Sequence, residues 1–430
     1  PMSYYRQVIS LLEEPSKIAR ERELKELFEE SPMSSLHDED FIADEILDLS
    51  EDILKKTGKG LGAYTESKGY LFAREAVADF INRRDGFTHE SGLLADPEEI
   101  FLTDGASDGA KRILDLLIAE KTDGVMIPIP QYPLYSASIK MFGGTQTNYY
   151  PDEENDWALN RKILEEAYAQ ASAEGVKVKA IVVINPGNPT GAILDKESVY
   201  EVISFAKTHN LAIIADEVYQ ENLYGGEFTS FAKALGDEKN VVLFSLHSIS
   251  KGFYGECGHR GGYLEVRNSP LVAGTELNFI DLLLKQASVS LCANSVGQIM
   301  TYLMVSPPNS ESRVRQKFIV EKEKVLANLY EKAMMVREAF KKMDGLESFG
   351  KTGAMYLFPR LNKLPKGTDD FDYCMALLEE TGLCTVNGSG FGLKNHLRIA
   401  FLPSKEQLEE VLPRWIEFHN RYVNGEQSLR

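Results

Sequence analysis

The 430-residue chain carries 47 Lys+Arg against 65 Asp+Glu, a formal net charge of -18 at pH 7, with 43% hydrophobic and 26% charged residues. This is the composition of a folded globular protein, and its acidic balance argues against nucleic acid or an anionic membrane as partner, because a phosphate surface demands a basic footprint. The 4 cysteines, Cys257, Cys292, Cys374 and Cys384, form no C-x-x-C pair and have no histidine at ligand spacing, so neither disulfides nor a metal site is expected and a reducing, cytoplasmic compartment fits, with a mitochondrion or another organelle as the alternative if a leader has been removed.

Residues 1 to 30 lack the charged start and apolar run of a signal peptide, and no later run approaches the roughly 20 apolar residues that cross a bilayer. Apolar residues at spacings of three and four predict helices over Tyr5 to Leu12, Glu23 to Glu29 and Asp40 to Thr57. Gly58, Gly60 and Gly62 follow as a loop before Tyr64; no strand precedes them, which removes a dinucleotide-binding reading. A helix is expected from Gly69 to about Arg83. Short apolar runs then alternate with helical patterns: strands Ile100 to Thr103, Val125 to Ile127, Val178 to Asn185, Leu211 to Asp216, Val241 to Ser245 and Gly262 to Val266, with helices Asp108 to Ala119, Pro133 to Met141 and Asp195 to His209 between them. Near-continuous apolar strands separated by helices predict an α/β fold built on a mainly parallel sheet covered on both faces.

In such a sheet, ligands bind beyond the carboxyl ends of the strands. Four of those ends carry unusual residues. Thr103 leads into Asp104-Gly105-Ala106-Ser107, a small-residue turn opening a helix whose free N–H groups suit a phosphate. Ile184 leads into Asn185-Pro186-Gly187-Asn188-Pro189-Thr190-Gly191, Ile214 into Asp216-Glu217-Val218-Tyr219, and Phe244 into the segment that holds Ser248, Ser250, Lys251 and Arg260 among five glycines. A lysine amine beside a cation becomes a nucleophile toward carbonyls and holds an aldehyde cofactor as a Schiff base, while the arginine fork and the hydroxyls suit phosphate oxygens. Amine plus phosphate clamp points to pyridoxal phosphate. Ser248-Ile249-Ser250-Lys251 also matches the S-x-x-K of serine acyl-transferases, with Lys351-Thr352-Gly353 as their K-T-G, but the S-D-N of that group is absent.

Beyond about residue 305 the pattern changes: a long helix Ser312 to Lys341, then strands Gly353 to Phe358, Cys384 to Asn387 and His396 to Phe401 around a helix Phe371 to Thr381, a smaller α+β unit. Arg398 lies inside the apolar run Leu397 to Phe401, where a charge needs a partner or a ligand. The organisation expected is an N-terminal helical part over 1–45, a large domain over 46–308 and a C-terminal small domain over 309–430.

Taken together, Gly105-Ala106-Ser107, the 185–191 turn, Asp216 to Tyr219, Ser248 to Lys251 and Arg398 resemble the class I/II aminotransferases of fold type I, and Pro128 to Tyr135, Tyr149 to Trp157 and Ser250 to Tyr263 are most similar to the alanine-specific branch. The resemblance runs over nearly the whole chain. It implies a pyridoxal 5'-phosphate enzyme moving the amino group of L-alanine to 2-oxoglutarate by a ping-pong route, with glyoxylate or another class I substrate as the alternative and a non-catalytic cofactor-binding protein as a remoter one. Lys251 would be the catalytic lysine; Asp216 would hold the ring nitrogen, Tyr219 and Asn188 the ring oxygen and Tyr132 the ring face. Gly105, Ala106, Ser107, Ser248, Arg260 and a second subunit's Tyr64 would surround the phosphate, making a homodimer with shared sites. Arg398 would take the substrate carboxylate, with Asn188 and Tyr132 beside it. Family members carry a further N-terminal stretch with a glycine near that carboxylate, so part of the site is expected to lie before Pro1, and Asn387 stands where a proline is usual.

Overall fold

The computed structural model describes residues 3–30, 41–308 and 311–425. Helices α1 (Ser3–Glu13), α2 (Ser16–Glu30), α3 (Asp44–Lys56) and α4 (Leu71–Asp85) come first. The start expected for the third helix, Asp40, lies outside the described residues, and α2 begins earlier than its apolar spacing predicts. Helix α4 starts after Gly69 because that residue has φ +98° and its Cβ position would lie 2.7 Å from the Leu102 side chain, a place only glycine fills.

The alternating region follows as β1 (Ile100–Thr103), α5 (Ala106–Leu117), β2 (Asp123–Pro128), α6 (Leu134–Met141), β3 (Thr145–Tyr149), α7 (Arg161–Ala173), β4 (Lys177–Ile184), α8 (Lys196–His209), β5 (Ala212–Asp216), α9 (Phe231–Leu235), β6 (Leu243–Ser248) and β7 (Gly262–Arg267). Helices α10 (Phe279–Val289), α11 (Ser295–Val305) and α12 (Arg313–Phe340) lead to β8 (Leu346–Glu347), β9 (Tyr356–Leu357), β10 (Arg360–Leu361), α13 (Asp370–Thr381), β11 (Val386–Asn387), β12 (Leu397–Ala400) and α14 (Lys405–Val423). The edge strand β3, with only Thr147 and Tyr149 buried, escaped the reading from apolar runs, as did α7, α10, α11 and α14. The strand expected over Gly353 to Phe358 shrinks to β9 because Ala354 adopts φ +52°, which an extended strand does not accommodate.

The main sheet has 7 strands in the order β1-β7-β6-β5-β4-β2-β3. From β3 through β2, β4 and β5 to β6 every pairing is parallel. All residues of β2 and β6 are buried, as is β4 from Ala180 to Ile184, so these strands read as continuous apolar runs covered on both faces. Register places Ile184 opposite Asp216 and Asp216 opposite Leu246, which sets the 185–191 turn, Asp216 and the end of β6 side by side at one sheet edge. Small antiparallel pairings complete the α+β part: β8 with β10, and β11-β12-β9.

The chain divides into two compact units: Pro1–Ala106, Ser248–Leu264 and Leu284–Val325 form one, and Ser107–His247, Glu265–Leu283 and Leu326–Arg430 the other. In the first, Tyr5 packs edge-on against Phe318 with ring centroids 6.0 Å apart and lies 5.5 Å from Tyr254. Among the described residues no helix is long and apolar enough to cross a membrane.

The second unit contains a polar chain that starts in the core, at Trp415 and Tyr373, and ends at the backbone of the exposed Asp344. Trp415 Nε1 donates to the Tyr373 hydroxyl at 2.9 Å, that hydroxyl donates to His419 Nδ1 at 2.8 Å, and His419 Nε2 donates to the Asp344 carbonyl at 2.9 Å. The carbonyl accepts only, which fixes the neutral tautomer. Burial lowers the His419 pKa. The folded state therefore keeps the ring neutral, while the unfolded chain takes up a proton below its ordinary value of about 6.5; this stability is present above that pH and is lost as pH falls beneath it. The urea midpoint followed by Trp fluorescence should fall between pH 7 and pH 5.5. His419→Gln should cost about 1–3 kcal/mol at pH 7 and flatten that decline; an unflattened decline would assign the titration to another group.

Candidate active site

The second unit holds six of the expected residues: Ser107, Tyr132, Asn188, Asp216, Tyr219 and Arg398. The 185–191 turn is knitted by its own backbone and side chains: Asn185 Oδ1 accepts from Leu194 N at 3.0 Å, Gly187 N donates to the Ala192 carbonyl at 2.8 Å and Gly191 N to the Gly187 carbonyl at 3.0 Å. Gly191 has φ +68°, and a Cβ there would meet the Tyr356 carbonyl at 2.3 Å, so the turn sits directly on β9. This seating holds Asn188, which is 7% exposed.

Asp216 ends β5 and is buried; the Tyr135 hydroxyl, from α6, donates to its Oδ2 at 2.8 Å. Burial raises the Tyr135 pKa well above the usual phenol value, with the Asp216 charge adding to it, so the phenol stays a proton donor to the carboxylate. Tyr219, also buried, places its hydroxyl 3.5 Å from Asn188 Nδ2 and 3.4 Å from the Tyr356 hydroxyl. Burial raises its pKa too, followed by the effect of Tyr356.

Arg398 stands on β12 with its guanidinium carbon 4.5 Å from the centre of the Tyr356 ring and 4.8 Å from that of Phe391. Its Nη1 donates to Asn188 Oδ1 at 3.2 Å. Among the described residues it forms no ion pair with a carboxylate, so the charge is held by two aromatic faces and one amide oxygen while N–H groups remain for a ligand. Phe391 is fixed by its loop: Ser389 donates from N and Oγ to the buried Asp370 carboxylate at 2.8 and 2.7 Å, and the Phe391 carbonyl accepts from Gln131 N at 3.1 Å. Tyr132 follows Gln131 and is 45% exposed. Ser107 is the second residue of α5, inside its first turn.

The first unit collects the lysine segment. Ser248 Oγ lies 3.0 Å from Ser250 Oγ and donates to the Gly261 carbonyl at 3.1 Å, while Ile249 N reaches the same carbonyl at 3.2 Å. Lys251 is therefore carried on a turn closed by its own ends. Arg260, at φ +50°, donates through Nη1 to the Cys257 carbonyl at 2.9 Å and through Nη2 to the Asp104 carbonyl at 2.8 Å. Glu256, nearly fully buried, receives Arg6 Nε and Nη2 at 3.0 Å each and lies 3.0 Å from His259 Nδ1, tying the segment to α1. Ala106 is buried at the start of α5, whereas Tyr64 is 78% exposed.

Gly105 provides a direct test of whether these residues suit a phosphorylated cofactor. It has φ +83°, and a Cβ would lie 2.5 Å from Arg260 Nη2 and 3.1 Å from its central carbon. Only glycine lets the guanidinium lie against the Asp104–Gly105 backbone. An arginine and the hydroxyls of Ser248 and Ser250 in this unit are donors of the kind that suit a phosphate.

The sequence reading missed Tyr135, Tyr356 and Phe391. Tyr135 and Asp216 are 81 residues apart, and nothing in one dimension pairs them. Phe391 sits in the small-residue loop Gly388-Ser389-Gly390, a signal that was visible, and Tyr356 follows a Gly-Ala-Met run without a distinguishing pattern.

The aminotransferase class I and II profile matches residues 37–414. A probable mitochondrial alanine aminotransferase of Dictyostelium discoideum is 40% identical over 99% of this chain and 78% of its own length. Glutamate–glyoxylate aminotransferase 2 of Arabidopsis thaliana is 38% identical over 99% of this chain and 86% of its own. Among solved structures, the alanine aminotransferase of Pyrococcus furiosus superposes with a TM-score of 0.72 at 25% identity, covering 88% of each chain. With a profile match over most of its length and the pyridoxal-phosphate transferase architecture around it, the chain belongs to the aminotransferase class I and II family, the pyridoxal-phosphate-dependent transaminases.

Proposed function

We propose that this transaminase moves the amino group of L-alanine to 2-oxoglutarate, giving pyruvate and L-glutamate. The single observation that carries the reading is Arg398: a cation with no acidic partner among the described residues, oriented by two aromatic rings, and planar as recognition of an amino-acid carboxylate requires. The alanine-named relative supports alanine as the amino donor, and the glyoxylate-named one makes glyoxylate a second acceptor to test.

Bound pyridoxal phosphate supplies an electron sink for the charge that develops when the substrate α-carbon loses its proton. Lys251 would hold the cofactor, and its amine would take the substrate α-proton and return it. Asp216 holds the ring nitrogen, and Tyr135 orients the carboxylate that does so. Tyr219 and Asn188 would hold the ring oxygen, and Tyr132 would cover the ring. Gly105, Ala106, Ser107, Ser248 and Arg260 would hold the phosphate. Tyr64 reaches the phosphate of a partner subunit, a role that its exposure supports, with Leu71, Val289 and Leu291 as further exposed apolar residues of the same unit. Both amino acid and oxo acid present their carboxylate to Arg398.

The chain purified with pyridoxal phosphate should show a visible absorbance band that L-alanine alone, without an oxo acid, converts to a shorter-wavelength band with release of pyruvate. Lys251→Ala should lack that band and lose at least about 10³-fold in kcat; a band converted only by other amino acids would refute the alanine assignment. Arg398→Lys keeps the charge but loses the paired donors, so KM for both alanine and 2-oxoglutarate should rise roughly 10- to 100-fold, with kcat changed less. An equal fall in kcat at unchanged KM would remove Arg398 from carboxylate binding. Mixing inactive Lys251→Ala and Tyr64→Ala chains should restore part of the activity through hybrid dimers, and no recovery would count against a shared site.

A further inference from the structure

The circuit around Arg398 contains one residue with no assigned role. Tyr356 lies on β9, paired with Ala400 of β12, so Arg398, two residues before Ala400, shares its face of the sheet on the diagonal. That geometry lays the Tyr356 ring against the guanidinium at 4.5 Å. Its hydroxyl meets that of Tyr219 at 3.4 Å, with the two rings edge to face at 5.9 Å. Tyr219 in turn lies 3.5 Å from Asn188 Nδ2, and Asn188 Oδ1 returns to Arg398 at 3.2 Å. The four residues close a loop in which Tyr356 supplies both a ring for the arginine and a hydroxyl for the tyrosine.

The position is held hard from behind. The Tyr356 carbonyl occupies the space that a Cβ on Gly191 would take, and Phe401 N donates to the carbonyl of the preceding Met355 at 3.3 Å, so the side chain has little freedom to leave the circuit. The 3.4 Å between the two hydroxyls exceeds the roughly 2.7–2.8 Å of a strong O–H···O bond, and the 3.5 Å from Asn188 Nδ2 exceeds the roughly 2.9–3.0 Å of N–H···O, which leaves room for both to shorten when a ligand fills the site.

We infer that Tyr356 is a positioning residue that couples carboxylate capture at Arg398 to the hydroxyl of Tyr219: its ring fixes the guanidinium, and its hydroxyl, which accepts from Tyr219 here, turns to donate to Tyr219 once the Tyr219 proton is directed at the cofactor's ring oxygen. This rests on the functional reading above, in which Tyr219 holds the cofactor's ring oxygen. A Tyr219 hydroxyl that accepts a hydrogen bond is a stronger donor onward, because chained hydrogen bonds polarise one another. The hydroxyl of Tyr356 therefore favours the ionised ring oxygen, and its ring favours a bound carboxylate, two effects that separate experimentally.

The test compares holoenzymes of the parent, Tyr356→Phe and Tyr356→Leu. Two quantities are read: the midpoint pH of the cofactor's visible band, and the dissociation constant of propionate, which has the carboxylate of alanine but no amine to transfer. Tyr356→Phe should bind propionate within about twofold of the parent and raise the midpoint by roughly 0.3–0.5 pH units. Tyr356→Leu should raise the midpoint similarly and weaken propionate roughly fivefold through loss of the ring contact. A Phe variant with the parent's midpoint overturns the role of the hydroxyl, and that variant keeps the packing, so the result stands even where the Leu chain does not fold. A folded Leu variant with the parent's propionate affinity overturns the role of the ring. A parent chain that gains no visible band overturns the functional reading itself, recognisable because parent and variants then fail alike.

Discussion

The parallel register of β4, β5 and β6 is the constraint on which the second unit's chemistry depends. Ile184, Asp216 and Leu246 lie in one row across three strands, so the chain must leave all three at the same edge. Parallel pairing obliges each return to run the length of the sheet, here through α8 after β4, and leaves the carboxyl ends free for turns rather than hairpins. The Asn185–Gly191 turn, Asp216 and the end of β6 are therefore neighbours for a reason of backbone geometry, before any side chain is considered. Burial on both faces makes the register hard to shift, because a one-residue slip would carry a polar strand end into the apolar interior.

Charge in this unit is handled by two different devices. Asp216 is buried with a tyrosine proton directed at one oxygen, which fixes the carboxylate without neutralising it. Arg398 pairs with no acid among the described residues; Tyr356 and Phe391 bracket it and Asn188 receives one of its N–H groups. A carboxylate partner would have bound the arginine more tightly, but it would also compete with any acid the site is meant to take. Aromatic faces stabilise a guanidinium by about 0.5–2 kcal/mol each without occupying its in-plane donors. The outlay is in structure: Phe391 requires the Gly388–Phe391 turn, and that turn is anchored through Ser389 to a fully buried Asp370.

The first unit applies the same economy of space to the lysine segment. A Cβ on Gly261 would lie 2.3 Å from the Gly297 carbonyl and one on Gly297 would lie 2.2 Å from the Arg260 carbonyl, so α11 meets the backbone at the start of β7 in direct contact. Glu256 adds an ionic tie to Arg6 of α1. The turn that carries Lys251 is thus held from both sides by residues remote in sequence, while its own hydrogen bonds return to Ser248, Ile249 and Gly261.

Much of this was readable in one dimension. Apolar runs of β-branched residues ending in Asn-Pro-Gly-Asn, Asp-Glu and Ser-x-Ser-Lys located β4, β5 and β6 and their polar ends, because burial on both faces and turn chemistry each leave a local signature. The same reading failed where the signature is weak or misleading: β3 is a half-exposed edge, and β9 is cut short by the backbone of Ala354. By itself the sequence determined the order of elements, the turns that close strands, and the residues at the strand ends. Tertiary structure alone decided the partners: Tyr135 with Asp216, Tyr356 and Phe391 with Arg398, Arg6 with Glu256. Local signals act over a few residues, whereas these contacts join positions up to 250 residues apart, and only the packed chain brings such positions within hydrogen-bond reach.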